Sequence, residues 1–282
     1  MKKSILYATV ALGLTAISCN GQDDDATKQI SNKDKVVALL KSIETGDQKP
    51  ATYINPTNYK QHNLDVADGL NGFVETLKAL PANSAKVNTV RAFEDGNFVF
   101  THTDYNFFGP KIGFDIFRFE DGLIVEHWDN LQVTAAQPNP SGRTMIDGAT
   151  EIKGLDKTEE NKELVAKFVT DILVNGDMSK LAQYFDGDNY IQHNPNIGDK
   201  LSGLGAALES MAQQGIFMKY SKIHMVLGQG NFVLTVSEGN LGEEHNSFYD
   251  LFRIEEGKIA EHWDVIQNIP AKADWKNENG KF

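Results

Sequence analysis

The sequence predicts an α+β fold in which one small domain occurs twice along the chain. Three short blocks recur in the same order and at nearly equal spacing in the two halves of the 282 residues. In each half, helical periodicity comes first and four segments typical of β-strands follow. The repeat is as long as a domain, which excludes a solenoid of short stacked repeats.

Three pairs of blocks define the duplication. They are YKQHN at 59–63 and YIQHN at 190–194, DIFRFEDG at 115–122 and DLFRIEEG at 250–257, and EHWD at 126–129 and 261–264. The predicted organisation is a signal peptide at 1–19, an acidic tether at 20–32, a first domain at 33–147, a linker at 148–156 and a second domain at 157–282. Similar Asn- and Gly-containing segments at 139–142 and 277–280 indicate that each domain ends in a similar tail that wraps around it.

Each domain opens with an amphipathic helix. The apolar residues at helical spacing are Val36, Leu39, Leu40 and Ile43 in the first domain and Val165, Phe168, Val169 and Ile172 in the second. Ser31-x-x-Asp34 forms a capping box, and Gly46 and Gly176 end these helices. Further helices are predicted near 48–57 and at 70–80, 178–185 and 203–214, and strands at 86–94, 97–105, 111–120, 123–132, 220–227, 231–238, 245–255 and 258–267.

The N-terminus has the pattern of an export signal. Two lysines precede an apolar run from Ile5 to Ile17, which is too short to span a bilayer. The segment AISC at 16–19 resembles a lipobox, in which the cysteine receives a diacylglyceryl group. We therefore expect an exported protein, lipid-anchored at Cys19 in the outer membrane. Exposure at the cell surface and an ordinary secretory signal with an incidental cysteine remain alternatives.

The charge of the chain excludes some partners. A net charge of -12 repels phosphate backbones and anionic lipid, which argues against nucleic-acid binding. No second apolar stretch approaches spanning length, so membrane attachment is expected through the lipid alone. The single cysteine excludes an intramolecular disulfide.

Strand pairing across the Asp121-Gly122 turn decides which side chains share a sheet face. A two-residue turn pairs Glu120 with Leu123. The pocket face then carries Asp115, Phe117, Glu126 and Trp128, with Asp250, Phe252, Glu261 and Trp263 as their counterparts. The opposite face carries Arg118, His127 and Asp129, with Arg253, His262 and Asp264. The aromatic face should line a pocket, because removing its larger apolar area from water gives the greater stabilisation. A bulged loop would exchange the two faces.

The expected pocket contains groups suited to acid/base chemistry. His102 alternates with Phe98 and Phe100 on the preceding strand, which directs it towards Asp115. A carboxylate in apolar surroundings is a better base for a weakly acidic C–H proton, and an imidazole can donate to the developing enolate oxygen. His62 and His193 follow the second helix of each domain, where such a histidine either caps a strand or closes the pocket mouth.

Other interpretations of these residues, without acid/base catalysis, remain open. A buried Asp beside a Trp is as often hydrogen-bonded to the indole or to backbone as it is catalytic. His127 and Asp129 share a face and could hold a metal, but the sequence offers no evident third ligand. We therefore do not expect a metal.

The three blocks resemble the SnoaL-like polyketide cyclases and predicted aldol-condensation enzymes of the nuclear-transport-factor-2-like superfamily. The resemblance covers nearly all of both domains. It implies cone-shaped domains, each with three helices packed on a curved antiparallel sheet. It also implies aldol closure without metal or cofactor, with Asp115 and Asp250 as acid/base residues and His102 as a partner. Val236 replaces that histidine in the second domain, whose site would then be impaired.

Two functions follow as hypotheses. The first is acid/base catalysis, of the aldol cyclisation or isomerisation type, on a small hydrophobic carbonyl compound. The second is a non-catalytic receptor for a small apolar ligand, for which the aromatic walls suffice. The resemblance further implies pairing through sheets, so we expect an intramolecular pseudo-dimer that meets through the faces of Arg118 and Arg253, with both pockets opening outwards.

Overall fold

The computed structural model describes residues 30–81 and 84–282. The predicted signal peptide, Cys19 and most of the acidic tether lie outside these residues. Within the described ranges, no helix is long and apolar enough to cross a membrane. The described chain combines helices with two five-stranded sheets, so the predicted α+β class is confirmed.

The α-helices are Asn32–Thr45 (α1), Gly69–Ala79 (α2), Thr158–Phe168 (α3) and Lys200–Gln213 (α4). The Ser31 hydroxyl accepts a hydrogen bond from the Asp34 N–H at 3.1 Å, and Gly46 closes α1 at a φ of +72°. The predicted capping residues therefore bound α1. After α3 the chain continues as a π-helical segment, and the short helices expected near 48–57 and 178–185 are 3₁₀ turns at Lys49–Tyr53 and Met178–Tyr184.

The strands form two sheets of the same order. They are Lys60–Gln61 (β1), Lys86–Asp95 (β2), Phe98–Asn106 (β3), Pro110–Glu120 (β4), Leu123–Val133 (β5), Ile191–Gln192 (β6), Met218–Gln229 (β7), Phe232–Leu241 (β8), Glu244–Glu255 (β9) and Lys258–Asn268 (β10). The orders are β1-β5-β4-β3-β2 and β6-β10-β9-β8-β7. The sequence did not predict β1 and β6, which pair in parallel with β5 and β10 and set Gln61 beside His127 and Gln192 beside His262.

Helices cover one face of each sheet. In the N-terminal half (residues 31–133), Leu39 of α1 belongs to one buried cluster with Val99 and Phe117. In the C-terminal half (residues 158–268), Val165 of α3 is buried in the same way with Phe252. Removal of this apolar surface from water is the main contribution that holds the helices on the sheets.

The two sheets pack against each other through their other faces. One buried cluster joins Phe100, Phe114 and Trp128 of the N-terminal half to Leu234 and Trp263 of the C-terminal half.

Hydrogen bonds cross the same contact. The Asn130 side-chain amide donates to the carbonyls of Ser247 and Val265, at 2.9 Å each. Two glutamines make matching bonds: Gln132 accepts from the Ile266 N–H at 2.9 Å, and Gln267 accepts from the Leu131 N–H at 3.2 Å. These three side chains thus satisfy backbone groups across the contact between the sheets.

Each half contributes a segment that crosses to the other half. In the connecting segment (134–157), the Asn139 amide donates to the carbonyls of Gln192 and Ile197, at 2.7 and 2.8 Å. In the C-terminal tail (269–282), the Asn277 amide donates to the carbonyls of Asn63 and Val66, at 2.8 and 2.9 Å. The expected tails therefore exist, but each lies on the opposite half rather than on its own.

Gly148 of the connecting segment lies where a side chain has no room. Its φ is +95°, and an added Cβ would overlap the Glu261 carboxylate and lie 2.8 Å from the Trp263 ring. We expect Gly148→Ala to lower the free energy of unfolding by about 3 kcal/mol, because backbone strain and overpacking act together. Urea denaturation followed by tryptophan fluorescence measures this loss.

Gly142 of the same segment is the matched control. Its φ is +80°, and nothing lies within 4 Å of an added Cβ. Gly142→Ala should therefore cost only the strain of the left-handed backbone, about 1 kcal/mol. Equal losses in the two variants would contradict the close packing of the connecting segment on the C-terminal half.

Candidate functional site

A β-bulge near the start of the last strand of each sheet sets the geometry of the site. Arg118 pairs with Glu126 but Phe119 pairs with Ile124, which leaves Val125 as an extra residue. The same shift in the second sheet leaves Ala260 unpaired. One extra residue exchanges the faces of every residue that follows it in the strand. The two-residue turn was predicted correctly, but the face assignment that rested on it was wrong.

The bulge brings His127 and Asp129 to the helix-covered face, together with Asp115. Phe117 pairs directly with His127, and Asp115 with Asp129. In the second sheet, Phe252 pairs with His262 and Asp250 with Asp264. The placement of His127, Asp129, His262 and Asp264 on the opposite face is therefore corrected. Arg118 and Arg253 do lie on that opposite face.

Several residues expected in the pocket lie outside it: the bulge turns Glu126 and Trp128 away, and the pairing of His102 with Phe114 does the same for His102. In the N-terminal half, His62 stacks on Trp128 at 4.7 Å and contacts Glu126 at 3.0 Å. Arg118 pairs with this glutamate at 2.7 Å. His102 stacks on Phe114 at 4.2 Å between the sheets. His102 is therefore not the partner of Asp115.

We call these residues outside the cavity (histidine, tryptophan, glutamate and arginine) the outer cluster, and the C-terminal half has a matching one. His193 stacks on Trp263 at 4.6 Å, and its Nε2 lies 2.9 Å from the Glu261 carboxylate, which Arg253 contacts at 2.6 Å. Burial tends to raise the pKa of Glu261, but hydrogen bonds from His193 and Arg253 outweigh it and lower that pKa. His193, Glu261 and Trp263 therefore lie outside the cavity, and Val236 does not line it.

A histidine and two carboxylates form the floor of the N-terminal cavity. His127 Nε2 lies 3.2 Å from Asp115 Oδ1, and the Tyr105 hydroxyl donates to Asp115 Oδ2 at 2.6 Å. The Asn63 amide donates to Asp129 Oδ2 at 2.7 Å. These residues are all buried.

The C-terminal cavity has the corresponding floor. His262 Nε2 lies 3.0 Å from Asp250 Oδ1, and the Tyr220 hydroxyl donates to Asp250 Oδ2 at 3.0 Å. The Asn194 amide donates to Asp264 Oδ2 at 2.7 Å. Sequence reasoning missed the glutamines and asparagines of this network, although the repeated QHN triplets contained them. No repeat could reveal the tyrosines, because Tyr105 comes from β3 and Tyr220 from β7.

The glutamine on each short parallel strand fixes the protonation of its histidine. Gln61 Oε1 lies 3.0 Å from His127 Nδ1 and also accepts from the Asn63 N–H at 2.8 Å. Because this oxygen can only accept, His127 Nδ1 must carry a proton. In the C-terminal half, Gln192 Oε1 accepts from the Asn194 N–H at 2.9 Å and lies 3.1 Å from His262 Nδ1. Each histidine thus turns its Nε2 towards the neighbouring aspartate, Asp115 or Asp250.

The tyrosines in the cavities stay protonated. Burial and the nearby charge of Asp115 raise the pKa of Tyr105 well above its usual value. Burial and the charge of Asp250 do the same for the pKa of Tyr220. Each hydroxyl is therefore held as a hydrogen-bond donor towards its aspartate.

Apolar walls surround the two polar floors. The N-terminal cavity has a volume of about 290 Å³ and is walled by Leu39, Leu40, Ile43, Phe73, Phe107, Phe117 and Leu131. The C-terminal cavity has a volume of about 450 Å³ and is walled by Phe168, Leu204, Leu208, Met211, Phe252 and Ile266. A small number of polar groups at the end of an apolar cavity is typical of sites that bind small organic molecules.

The third metal ligand that the sequence did not reveal is Asp115. Its oxygen, one nitrogen of His127 and an oxygen of Asp129 lie within 4.8 Å of one another, as do the ligand atoms of Asp250, His262 and Asp264. Two carboxylates and an imidazole suit a divalent cation such as Mn²⁺ or Zn²⁺. Each histidine and the aspartate paired with it are engaged in the hydrogen bonds described above. One oxygen of Asp129 and one of Asp264 have no hydrogen-bond partner in the described residues.

Comparison with known proteins agrees with the fold. Residues 165–262, from α3 to β10, match the SnoaL-like domain family. No curated protein matches the chain.

Several solved structures are similar to part of the chain. An NTF2-like protein of unknown function from Cytophaga hutchinsonii is 17% identical over 37% of this chain and 92% of its own, with a TM-score of 0.33. A candidate polyketide cyclase from Acidithiobacillus ferrooxidans is 14% identical over 38% and 88%, with a TM-score of 0.33. An LEH-like epoxide hydrolase from M. tuberculosis is 23% identical over 39% and 85%, with a TM-score of 0.30.

Asp264 offers a test of the electrostatics of the floor. Burial raises its pKa above the ordinary value of 3.8. The folded state then favours the protonated carboxyl. The stability of the folded protein is therefore not reduced by this group below pH 3.8, and it is reduced as the pH rises from there through the folded pKa. Asp264→Asn, which cannot ionise, should therefore be more stable than the wild type at pH 7, and the difference should vanish towards pH 3.5.

Asp199→Asn is the contrasting variant for the same denaturation experiment. Asp199 accepts from the Gln192 N–H at 3.0 Å and pairs with Arg143 at 3.2 Å, outside the cavity floor. Its loss should destabilise the protein at pH 7 by about 1 kcal/mol. An Asp264→Asn variant that is less stable than the wild type at pH 7 would show that the ionised carboxylate is well accommodated.

Proposed function

We propose that the cavities catalyse proton transfer next to the carbonyl group of a small hydrophobic compound. The observation that carries this proposal is the hydrogen-bonded Asp–His pair, present at the polar floor of both apolar-walled cavities. In the N-terminal half the pair is Asp115 and His127, and in the C-terminal half it is Asp250 and His262. The SnoaL-like match of residues 165–262 supports this type of chemistry for the C-terminal half.

The reaction uses the aspartate as the base. The Asp115 carboxylate takes a proton from the carbon beside the carbonyl, and the C–H electron pair moves onto the carbonyl oxygen to give an enolate. The protonated His127 or the Tyr105 hydroxyl then donates a hydrogen bond to that oxygen. In an aldol closure, the enolate carbon attacks a second carbonyl of the same molecule, and the proton held by Asp115 passes to the new alkoxide. In an isomerisation, a C=C bond is conjugated with the enolate, and Asp115 returns its proton to the far carbon of this dienolate. Apolar walls keep water from competing.

We further propose that the two halves are copies of one SnoaL-like domain that form an intramolecular pseudo-dimer. The equal strand orders, the matching bulges and the reciprocal bonds of Gln132 and Gln267 support this arrangement. The buried apolar cluster between the sheets supplies the stabilisation that a lasting pairing needs.

Asp115→Asn combined with Asp250→Asn should reduce proton transfer by about 10²- to 10⁴-fold, because each pair loses its base. The probe is 2-tetralone, an apolar ketone, whose α-hydrogen exchange in D₂O is followed by NMR. Unchanged exchange in the double variant would refute the acid/base role. Loss of exchange with unchanged 2-tetralone binding would separate catalysis from simple capture, and binding without exchange in the wild type would favour the receptor.

Two histidines provide a matched pair for the same assay in an Asp250→Asn background. His127→Gln removes the partner of Asp115, whereas His102→Gln alters a histidine that is buried between the sheets. We expect exchange to fall at least tenfold in the first variant and to persist in the second, with circular dichroism as the check that both fold. The reverse result would restore His102 as the partner of the aspartate.

We also propose that the protein is exported and lipid-anchored in the outer membrane through Cys19. The support is the basic start, the short apolar run and the lipobox-like AISC segment. Wild-type protein from a host that processes lipoproteins should partition into the detergent phase of Triton X-114, and Cys19→Ser should move to the aqueous phase. Partitioning that does not depend on Cys19 would eliminate the anchor.

A further inference from the structure

The two cavities differ by one buried charge, although their polar floors match. Near the N-terminal floor, the Lys281 ammonium lies 3.9 Å from Asp129 Oδ1 and donates to the Asp129 carbonyl at 2.6 Å and to Gln267 at 2.9 Å. Lys281 is only 4% exposed. A cation of the chain itself therefore faces the second carboxylate of this half.

The corresponding residue of the C-terminal half is Met145. His62 Nδ1 contacts the carbonyl of Gly280, directly before Lys281, at 2.9 Å. His193 Nδ1 contacts the carbonyl of Thr144, directly before Met145, at the same distance. Met145 is buried and apolar, and in the described part of the chain no lysine or arginine lies within 4.0 Å of Asp264. The C-terminal floor thus lacks the positive charge that the N-terminal floor has.

Asp264 is left with an oxygen that binds nothing. Its Oδ2 accepts from Asn194, but its Oδ1 is buried without a hydrogen-bond partner in the described structure. Asp129 Oδ1 also lacks a hydrogen-bond partner there, but the Lys281 ammonium lies 3.9 Å from it. The other carboxylate, Asp250, is already bonded to His262 and Tyr220. A buried carboxylate oxygen without a partner is costly, and a cation relieves that cost.

We propose that the C-terminal cavity binds an organic ammonium, which is a protonated amine on an apolar body, with Asp264 as its counter-ion. The larger cavity of about 450 Å³ has apolar walls for the body. The rings of Tyr190 and Tyr220 at its floor add cation–π attraction for the charged group. The N-terminal cavity, already supplied with Lys281, takes the uncharged ligand.

This inference rests on the proposed function only in that the cavity is a ligand site, and its test measures binding rather than turnover. The probes are 2-phenylethylamine, protonated at pH 7, and 2-phenylethanol, its neutral counterpart of equal shape. By isothermal titration calorimetry, the wild type should bind one amine with at least tenfold higher affinity than the alcohol. Asp264→Asn should abolish this preference, and the same change at Asp129 should retain it.

Lys281→Met tests the origin of the difference. It gives the N-terminal half the residue type found at Met145, so a second equivalent of amine should bind. Equal affinity for amine and alcohol in the wild type, or a preference that survives Asp264→Asn, would overturn the proposal. So would Mn²⁺ that binds alone in an Asp264-dependent manner while the amine does not bind. Exchange of 2-tetralone in the same proteins shows independently whether the acid/base proposal stands.

Discussion

One extra residue in the last strand of each sheet determines what the rest of the site can be. Val125 and Ala260 stand in bulges just before the Glu-His-Trp-Asp segments. Without the bulge, the glutamate and tryptophan would face the cavity and the histidine and second aspartate would face the other sheet. With it, the histidine and both aspartates lie under the helices, and the tryptophan joins the apolar contact between the sheets. The bulge thus directs some side chains of one short segment into the cavity and the others into the contact between the sheets.

The Gln-His-Asn segments also contribute side chains both to the cavity and to the outer cluster. Gln61 and Asn63 bond to His127 and Asp129 inside the cavity, while His62 between them stacks on Trp128 outside it. The short strand β1 carries this segment against β5, so alternate side chains reach opposite faces of the sheet. The floor of the cavity and the outer cluster are therefore set by the same three residues, and neither can shift without the other.

The sequence alone predicted most of the fold and part of the site. The capped first helix, the eight long strands and the Asp-Gly turn follow from local patterns that the folded chain retains. Asp115 was recognised as a cavity residue because it precedes the bulge, where the alternation still holds. His127 was misplaced because alternation cannot reveal one inserted residue. His102 was misplaced because the pairing of β3 with β4 sets it beside Phe114 and not beside Asp115. Tyr105 and Lys281 reach the floor from distant parts of the chain, and only tertiary structure brings them there.

The crossed tails have a consequence for the order in which the protein matures. The segment that holds Asn63 and His62 in place, from Asn277 to Gly280, follows the whole C-terminal half in the chain. The N-terminal half leaves the ribosome first, yet its cavity floor stays incomplete until that later segment has been synthesised and has docked. The C-terminal cavity, by contrast, receives its covering segment from residues that precede it. The half that is made first is therefore the half that is finished last.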